Sequence, residues 1–273
     1  MLEYNKGKCA DKAERSRVMV IRTQYLERLR PFYDSELVKV ITGIRRCGKS
    51  TILRQVIAEI KENGIEDSHI VYINFEDYKY HKLTDADAFY EYVEQKIVDE
   101  SKYYLFFDEI QNVNNFELVV NSFRATHNVS IFITGSNSKL LSGELATHLS
   151  GRTVSLRVLP FNFMEFCQYK DISAPDYETL LAEYMTYGGL PLVCGADNKE
   201  TKEVILNNIY DAVVLKDIVM RNKINSPLVL EKVLDYIVGN SSLTVSGNAI
   251  AGTLSSNGHK VSAPVVYDYL RCI

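Results

Sequence analysis

GIRRCGKST, residues 43–51, is the stretch on which the reading of the fold turns. Gly43, Gly48, Lys49 and Ser50 satisfy the pattern GxxxxGK[ST] in full. The stretch follows a short β-branched run, LVKVIT (37–42). It opens STILRQVIAEIKENG (50–64), where Ile52, Val56, Ile57 and Ile60 recur at helical spacing and Gly64 supplies a stop. Strand, loop, then helix is the context in which this pattern cradles phosphate. The glycines let the backbone turn so that its N–H groups face the phosphate oxygens, and the helix N-terminus adds positive potential. Gly43, Ile44, Arg45, Arg46, Cys47, Gly48, Lys49, Ser50 and Thr51 are therefore expected to bind nucleotide. Lys49 would reach the β- and γ-phosphates, the Ser50 hydroxyl would ligate Mg2+, and Thr51 would touch the α-phosphate. Arg45 and Arg46 have two readings: solvated cations that raise the local potential for ATP, or contacts to a neighbouring subunit or to the C-terminal region.

Working outward, HIVYINF (69–75), YYLFFDE (103–109), VSIFITGSN (129–137) and TVSLRVL (153–159) read as further strands. They alternate with helical patterns over 85–100 and 115–127, and residues 18–30 carry apolar positions on one helical face. The alternation predicts an α/β fold, a doubly wound, parallel five-stranded sheet of the P-loop NTPase type. Nearly continuous apolar strands fit a sheet covered on both faces. Ligands then bind beyond the carboxyl ends of the strands.

Polar residues gather at those ends. Asp108 is expected to hold Mg2+, a hard cation that takes one or two carboxylates, and Glu109 to act as general base on the attacking water. At the end of the fourth strand Ser136 or Asn137, with Asn137 preferred, would sense the γ-phosphate or the water. Arg152, just before the fifth strand, is read either as a finger on transition-state charge or as a helix C-terminal cation. Glu76 is a further candidate for positioning or switching. Tyr25 and Arg22 could pack near the adenine. The extra strand between the loop and the Asp-Glu pair, with a glutamate directly after the aspartate, resembles the NTPases that carry an additional strand and a catalytic glutamate rather than kinases or GTPases, and that resemblance implies ATP.

The 273 residues carry 31 Lys+Arg against 35 Asp+Glu, a balance that argues against whole-surface nucleic-acid binding. Five dispersed cysteines are neither a disulfide framework nor a zinc spacing. Residues 1–17 read as a polar lead without an apolar signal core. No apolar run approaches the roughly 18 residues of a membrane span, so the expected location is cytoplasmic, with no membrane partner. After about residue 190 only helical patterns follow, at 201–221 and 226–240. A short pair, 246–258 and 262–273, is joined at Asn257-Gly258 like a helix-turn-helix. From Leu190 on there are eight Lys/Arg and eight Asp/Glu. That neutral balance favours a protein contact or a homo-oligomer over DNA, with DNA left open.

GIRRCGKST, INFEDY, LFFDEIQ, ITGSNSKLLSGELATHLSGR, LPFNFMEF, YGGLP and LKDIVMRNKI occur in the order found in a group of prokaryotic AAA+-superfamily ATPases, which the chain resembles over residues 18–273. The resemblance implies an ATPase domain (18–190) and a helical, winged-helix-like domain (191–273), followed in such proteins by a poorly characterised C-terminal part. The chain is on that ground expected to be a truncated form. It also implies Mg2+-dependent ATP binding and hydrolysis coupled to conformational change, with Lys49, Ser50, Asp108, Glu109, Asn137 and Arg152 on matching positions. The alternative is a switch that holds ATP with little turnover and recruits a protein or DNA.

Overall fold

The computed structural model describes residues 19–135, 149–171, 175–213, 218–219, 222 and 224–272. The chain divides into two compact units, with the division between Asp197 and Asn198.

The first unit is built on five strands: β1 (Val38–Gly43), β2 (Ile70–Asn74), β3 (Tyr103–Asp108), β4 (Val129–Gly135) and β5 (Thr153–Val158). They pair in parallel in the order β2-β3-β4-β1-β5. Every residue of β1, β3 and β4 is buried, which is why those strands read as unbroken apolar runs. Side chains alternate between faces. Ile41, Phe106 and Phe132 pack with Leu26 and Leu29 of helix α1 (Thr23–Leu29) and with Ile52 and Val56 of α2 (Lys49–Glu62). On the opposite face Val40, Leu105, Phe107 and Ile133 pack with Phe89 of α3 (Ala86–Glu94) and Phe123 of α4 (Phe116–Thr126). Each face thus closes its own apolar cluster, giving a three-layer α/β/α unit.

Two local expectations change. The leading helix begins only at Thr23, because Gln55 of α2 binds the backbone on either side of Ile21. Gln55 accepts from the Arg22 N–H at 3.1 Å and donates to the Val20 carbonyl at 2.7 Å. Residues 19–22 thus lie outside the helix, and Ile21 is exposed. The helix expected over 85–100 ends at Glu94.

Beyond β5 come α5 (Phe163–Lys170), α6 (Tyr177–Tyr187) and the short α7 (Pro191–Cys194). Cys194 packs with Phe161, Phe166 and Leu180, so the compact unit runs past residue 190. The polar lead, Ser136 and Asn137 lie outside the described residues.

The second unit comprises α8 (Lys199–Asp211), α9 (Pro227–Gly239), α10 (Gly247–Ser256) and α11 (Ala263–Cys272). Leu230, Val233, Ile250, Leu254, Val266 and Tyr269 form its core. Gly258 turns between α10 and α11 with φ 88°. Among the described residues this unit contains no strand. No helix of the described residues is long and apolar enough to cross a membrane.

Candidate functional site

The strand order sets β3, β4 and β1 side by side, so the ends of these three strands share one edge of the sheet. The loop from Gly43 leaves β1 there and enters α2 through Gly48, whose φ of 103° suits glycine alone. A Cβ on Gly43 would lie 2.4 Å from the Val158 carbonyl oxygen of β5, which explains why that position has no side chain. Ile44, Arg45 and Arg46 are exposed on the outside of the loop, and Arg46 takes a left-handed conformation (φ 64°). Cys47 is turned inward and fully buried, and burial pushes its thiol pKa up.

Lys49 is 4% exposed and lies back over the loop. Its Nζ donates to the Gly43 and Ile44 carbonyls, both at 3.3 Å, and sits 3.3 Å from Glu109 Oε1. Glu109 follows β3 in a left-handed conformation (φ 54°), which lets two consecutive acids turn toward the same edge. Its other oxygen accepts from Gln111 Nε2 at 2.5 Å.

Asp108 is fully buried. Its Oδ2 accepts from the Tyr72 hydroxyl at 3.0 Å and its Oδ1 from the Thr134 hydroxyl, while Thr134 Oγ1 also accepts from the Glu109 N–H at 2.9 Å. Residues from β2, β3 and β4 thus hold both acids. Burial, then the Asp108 charge, pushes the Tyr72 phenol up to about 12, so it remains a donor. The sequence reading missed Tyr72 and Thr134. The signal present for each was a hydroxyl side chain within a few residues of the carboxyl end of an apolar strand.

These residues fit a nucleotide with Mg2+. The Ser50 hydroxyl, in the first turn of α2, and the Asp108 carboxylate, at the end of β3, are hard oxygen donors of the kind Mg2+ takes; here Asp108 is fully buried and both its oxygens accept from hydroxyls, of Tyr72 and Thr134. Thr51 lies in the first turn of α2.

Arg152 is elsewhere. Its carbonyl accepts from the Val38 N–H at 2.9 Å, at the start of β1, and its Nη1 donates to Asn121 of α4 at 3.2 Å. The strands are parallel, so the start of β1 is the edge opposite the loop, roughly 16 Å away at about 3.3 Å per residue. Within its own chain Arg152 does not reach the loop. Glu76 is exposed just past β2, where its backbone N–H is bound by Asn74 Oδ1 at 3.0 Å.

Arg22 and Tyr25 flank the loop but differ in role. Tyr25 lines a cleft of about 470 Å3 with Gln24, Leu159, Pro160, Phe161 and Asn162, and its hydroxyl accepts from the Leu159 N–H at 3.1 Å. Arg22 is not on that lining. It is 1% exposed, packed under the loop, with its guanidinium 4.6 Å from the centre of the Tyr25 ring.

A five-stranded parallel sheet in this order, with a lysine-bearing loop after β1 and paired acids after β3, defines the P-loop NTPase class. Within that class, residues 35–167 match the family model described as an AAA domain, and residues 178–272 match a domain of unknown function, DUF8612. The chain belongs to the AAA-domain P-loop ATPases that carry this second domain. It is similar to an uncharacterized protein of Haemophilus influenzae, 38% identical over 93% of this chain and 64% of that protein. It is also similar to an uncharacterized protein of Methanocaldococcus jannaschii, 33% identical over 86% of this chain and 54% of that one. The chain thus spans less than two thirds of the length of either relative. Among solved structures it resembles the Walker-type ATPase of Pyrococcus abyssi, with a TM-score of 0.59 and 14% identity over 93% of this chain and 88% of that chain. At that identity the likeness concerns the fold.

Proposed function

We propose that the protein binds ATP with Mg2+ at the loop from Gly43 to Thr51, hydrolyses it, and uses the cycle to change conformation. One observation carries this reading: Lys49, Asp108 and Glu109 converge at neighbouring strand ends, with Lys49 Nζ already 3.3 Å from Glu109. The loop N–H groups receive the phosphates. Lys49 exchanges its hold on the Gly43 and Ile44 carbonyls for the β- and γ-phosphates. Ser50 and Asp108 would hold Mg2+, which would supply charge neutralisation at the phosphate oxygens. Glu109, released from Lys49, takes a proton from the attacking water. The cleft lined by Tyr25 and Phe161 suits the base, being largely aromatic and apolar with the Gln24 and Asn162 amides at its side. Asn137 as a sensor, and Arg152 as a finger on the nucleotide of a neighbouring copy, are parts of the same proposal.

Phosphate release by the purified protein tests it. Glu109→Gln should lower the rate by about tenfold or more while leaving ATP binding intact. Equal rates would refute hydrolysis at this site.

A second reading has its own support. Glu109 is held by both Lys49 and Gln111, a paired-off base rather than a poised one. That arrangement suits a switch that holds ATP with little turnover and recruits a partner through residues 198–272. Arg271, the cation on α11, is paired with Asp268 at 3.2 Å, which favours a protein surface over DNA as that partner. Tight ATP binding with negligible release, with and without DNA, would select this reading.

A further inference from the structure

Arg22 makes contacts that a packing residue does not need. Its Nε donates to Glu165 Oε1 at 2.7 Å, its Nη1 to the Cys47 carbonyl at 3.2 Å, and its Nη2 to the Leu159 carbonyl at 3.1 Å. The centre of the Phe161 ring lies 5.2 Å from the guanidinium carbon. Glu165, 143 residues away in sequence, is itself fixed: its Oε2 accepts from the Asn162 N–H at 2.9 Å, and Asn162 Oδ1 accepts from the Glu165 N–H, also at 2.9 Å, a reciprocal cap on α5. The backbone of Arg22 is clamped to α2 by Gln55. The guanidinium is thus held from α5 (Glu165) and from the segment after β5 (Leu159 and, at 3.5 Å, Pro160), and one of its donors is spent on the loop.

The carbonyl it takes matters because of peptide geometry. Among the described residues no peptide bond is cis. In a planar trans peptide the C=O of one residue and the N–H of the next point in opposite directions. A guanidinium that holds the Cys47 oxygen therefore turns the Gly48 N–H the other way, to the side of the loop away from Arg22. Gly48, with its positive φ, would otherwise be free to rotate this peptide. A charged donor on the oxygen also polarises the amide, strengthening its N–H as a donor.

We infer that Arg22 is a positioning residue of the phosphate loop: by binding the Cys47 carbonyl, with Glu165 as its fixed counter-ion, it aims the Gly48 amide at the nucleotide phosphates. This rests on the nucleotide reading above. It predicts that Arg22 governs affinity for the phosphate chain itself, not for the base.

Calorimetric titration of the full chain with Mg2+-ATP and with inorganic tripolyphosphate tests this, using the wild type, Arg22→Lys, Glu165→Gln and a Lys49→Ala control. Lysine keeps the charge but cannot span Glu165 and the Cys47 carbonyl together. Arg22→Lys should weaken both ligands alike, by about tenfold, the scale of one well-placed hydrogen bond. Glu165→Gln can keep the cap with its one amide oxygen, but its NH2 then faces the Arg22 Nε–H, so the pair is broken; in the folded variant both ligands should weaken by about threefold or more. A merely structural role would lower the melting temperature of the nucleotide-free protein without moving either affinity. Unchanged affinities in folded Arg22→Lys or in Glu165→Gln, beside a binding wild type and a non-binding Lys49→Ala, overturn the inference alone. Loss of ATP binding with tripolyphosphate binding intact overturns it too, by placing Arg22 at the base cleft. A wild type that binds neither ligand overturns the nucleotide reading and this inference together.

Discussion

Lys49 and Lys39 are both nearly inaccessible, at 4% and 0% exposed, and both belong to the β1–loop–α2 segment. Their surroundings differ in kind. Lys49 sits at the carboxyl edge of the sheet beside a carboxylate, Glu109, and two loop carbonyls that a phosphate can replace. Lys39 sits in the amino half of β1, where Nζ donates to Ser130 Oγ at 2.7 Å and to the Ser35 carbonyl at 3.1 Å, over the Phe132 ring at 4.5 Å. Ser130 in turn donates to the Tyr33 carbonyl at 2.5 Å. Burial alone therefore does not distinguish a lysine proposed to bind phosphate from a structural one. What distinguishes them is whether the partners are exchangeable and whether the group faces a space a ligand can enter.

The largest expected effect is on the first lysine. Lys49→Ala should lower ATP affinity roughly a hundredfold, because a charge-assisted contact to phosphate is lost. Its melting temperature should change little, since Glu109 keeps Gln111 as a partner. A calorimetric titration and a thermal melt on the same sample would separate the two. A large fall in stability with affinity retained would erase the contrast between the lysines.

The second lysine should show the opposite pattern. Burial, then the positive charge of Lys102, lowers the Lys39 pKa from 10.5 to about 7, with Asp34 opposing. The unfolded chain then binds more protons than the folded one between about pH 7 and 10.5, so stability should rise with pH across that window and be flat below it. Lys39→Met should be more stable than the wild type by about 1–2 kcal/mol at pH 7, and the gain should shrink toward pH 10. Denaturant melts at several pH values would show it. A pH-independent difference would mean that Lys39 is not discharged by folding.

The Lys49 side of this contrast was legible in the sequence, and the Lys39 side was not. The phosphate loop and the Asp108-Glu109 pair are local patterns, and strands covered on both faces must be unbroken runs such as YYLFF. The partners were not legible. Nothing in the spacing links Arg22 to Glu165 or Tyr72 to Asp108, because those contacts arise only once the sheet order is set. The non-helical start at 19–22 depends on Gln55, a polar residue on a helix otherwise read by its apolar face. Arg152 is different, since its position was deducible: in a parallel sheet a residue preceding a strand lies at the amino edge, away from loops that follow strands.

A smaller effect probes how firmly the metal-side acid is held. Tyr72→Phe removes one of two hydrogen bonds on Asp108 and leaves Thr134 in place. The Mg2+ concentration for half-maximal ATP binding should rise about threefold, the scale of one modest hydrogen bond. Affinity at saturating Mg2+ should not move. A general loss of affinity at all Mg2+ levels would instead make Tyr72 a support of the whole strand edge.

The smallest expected effect belongs to the opposite edge. Arg152→Ala breaks an exposed hydrogen bond to Asn121, worth a few tenths of a kcal/mol. In dilute protein its turnover should stay within about twofold of the wild type, because a strand's length separates it from the loop. The informative variable is protein concentration. If copies associate so that one chain's amino edge meets another's loop, the deficit of the variant should grow as the protein is concentrated, and adding Lys49→Ala chains, which keep Arg152 but lack a working loop, should restore it. A deficit already present at the lowest concentration, and insensitive to added Lys49→Ala chains, would place Arg152 in the function of its own chain and break the division between a working edge and a structural one.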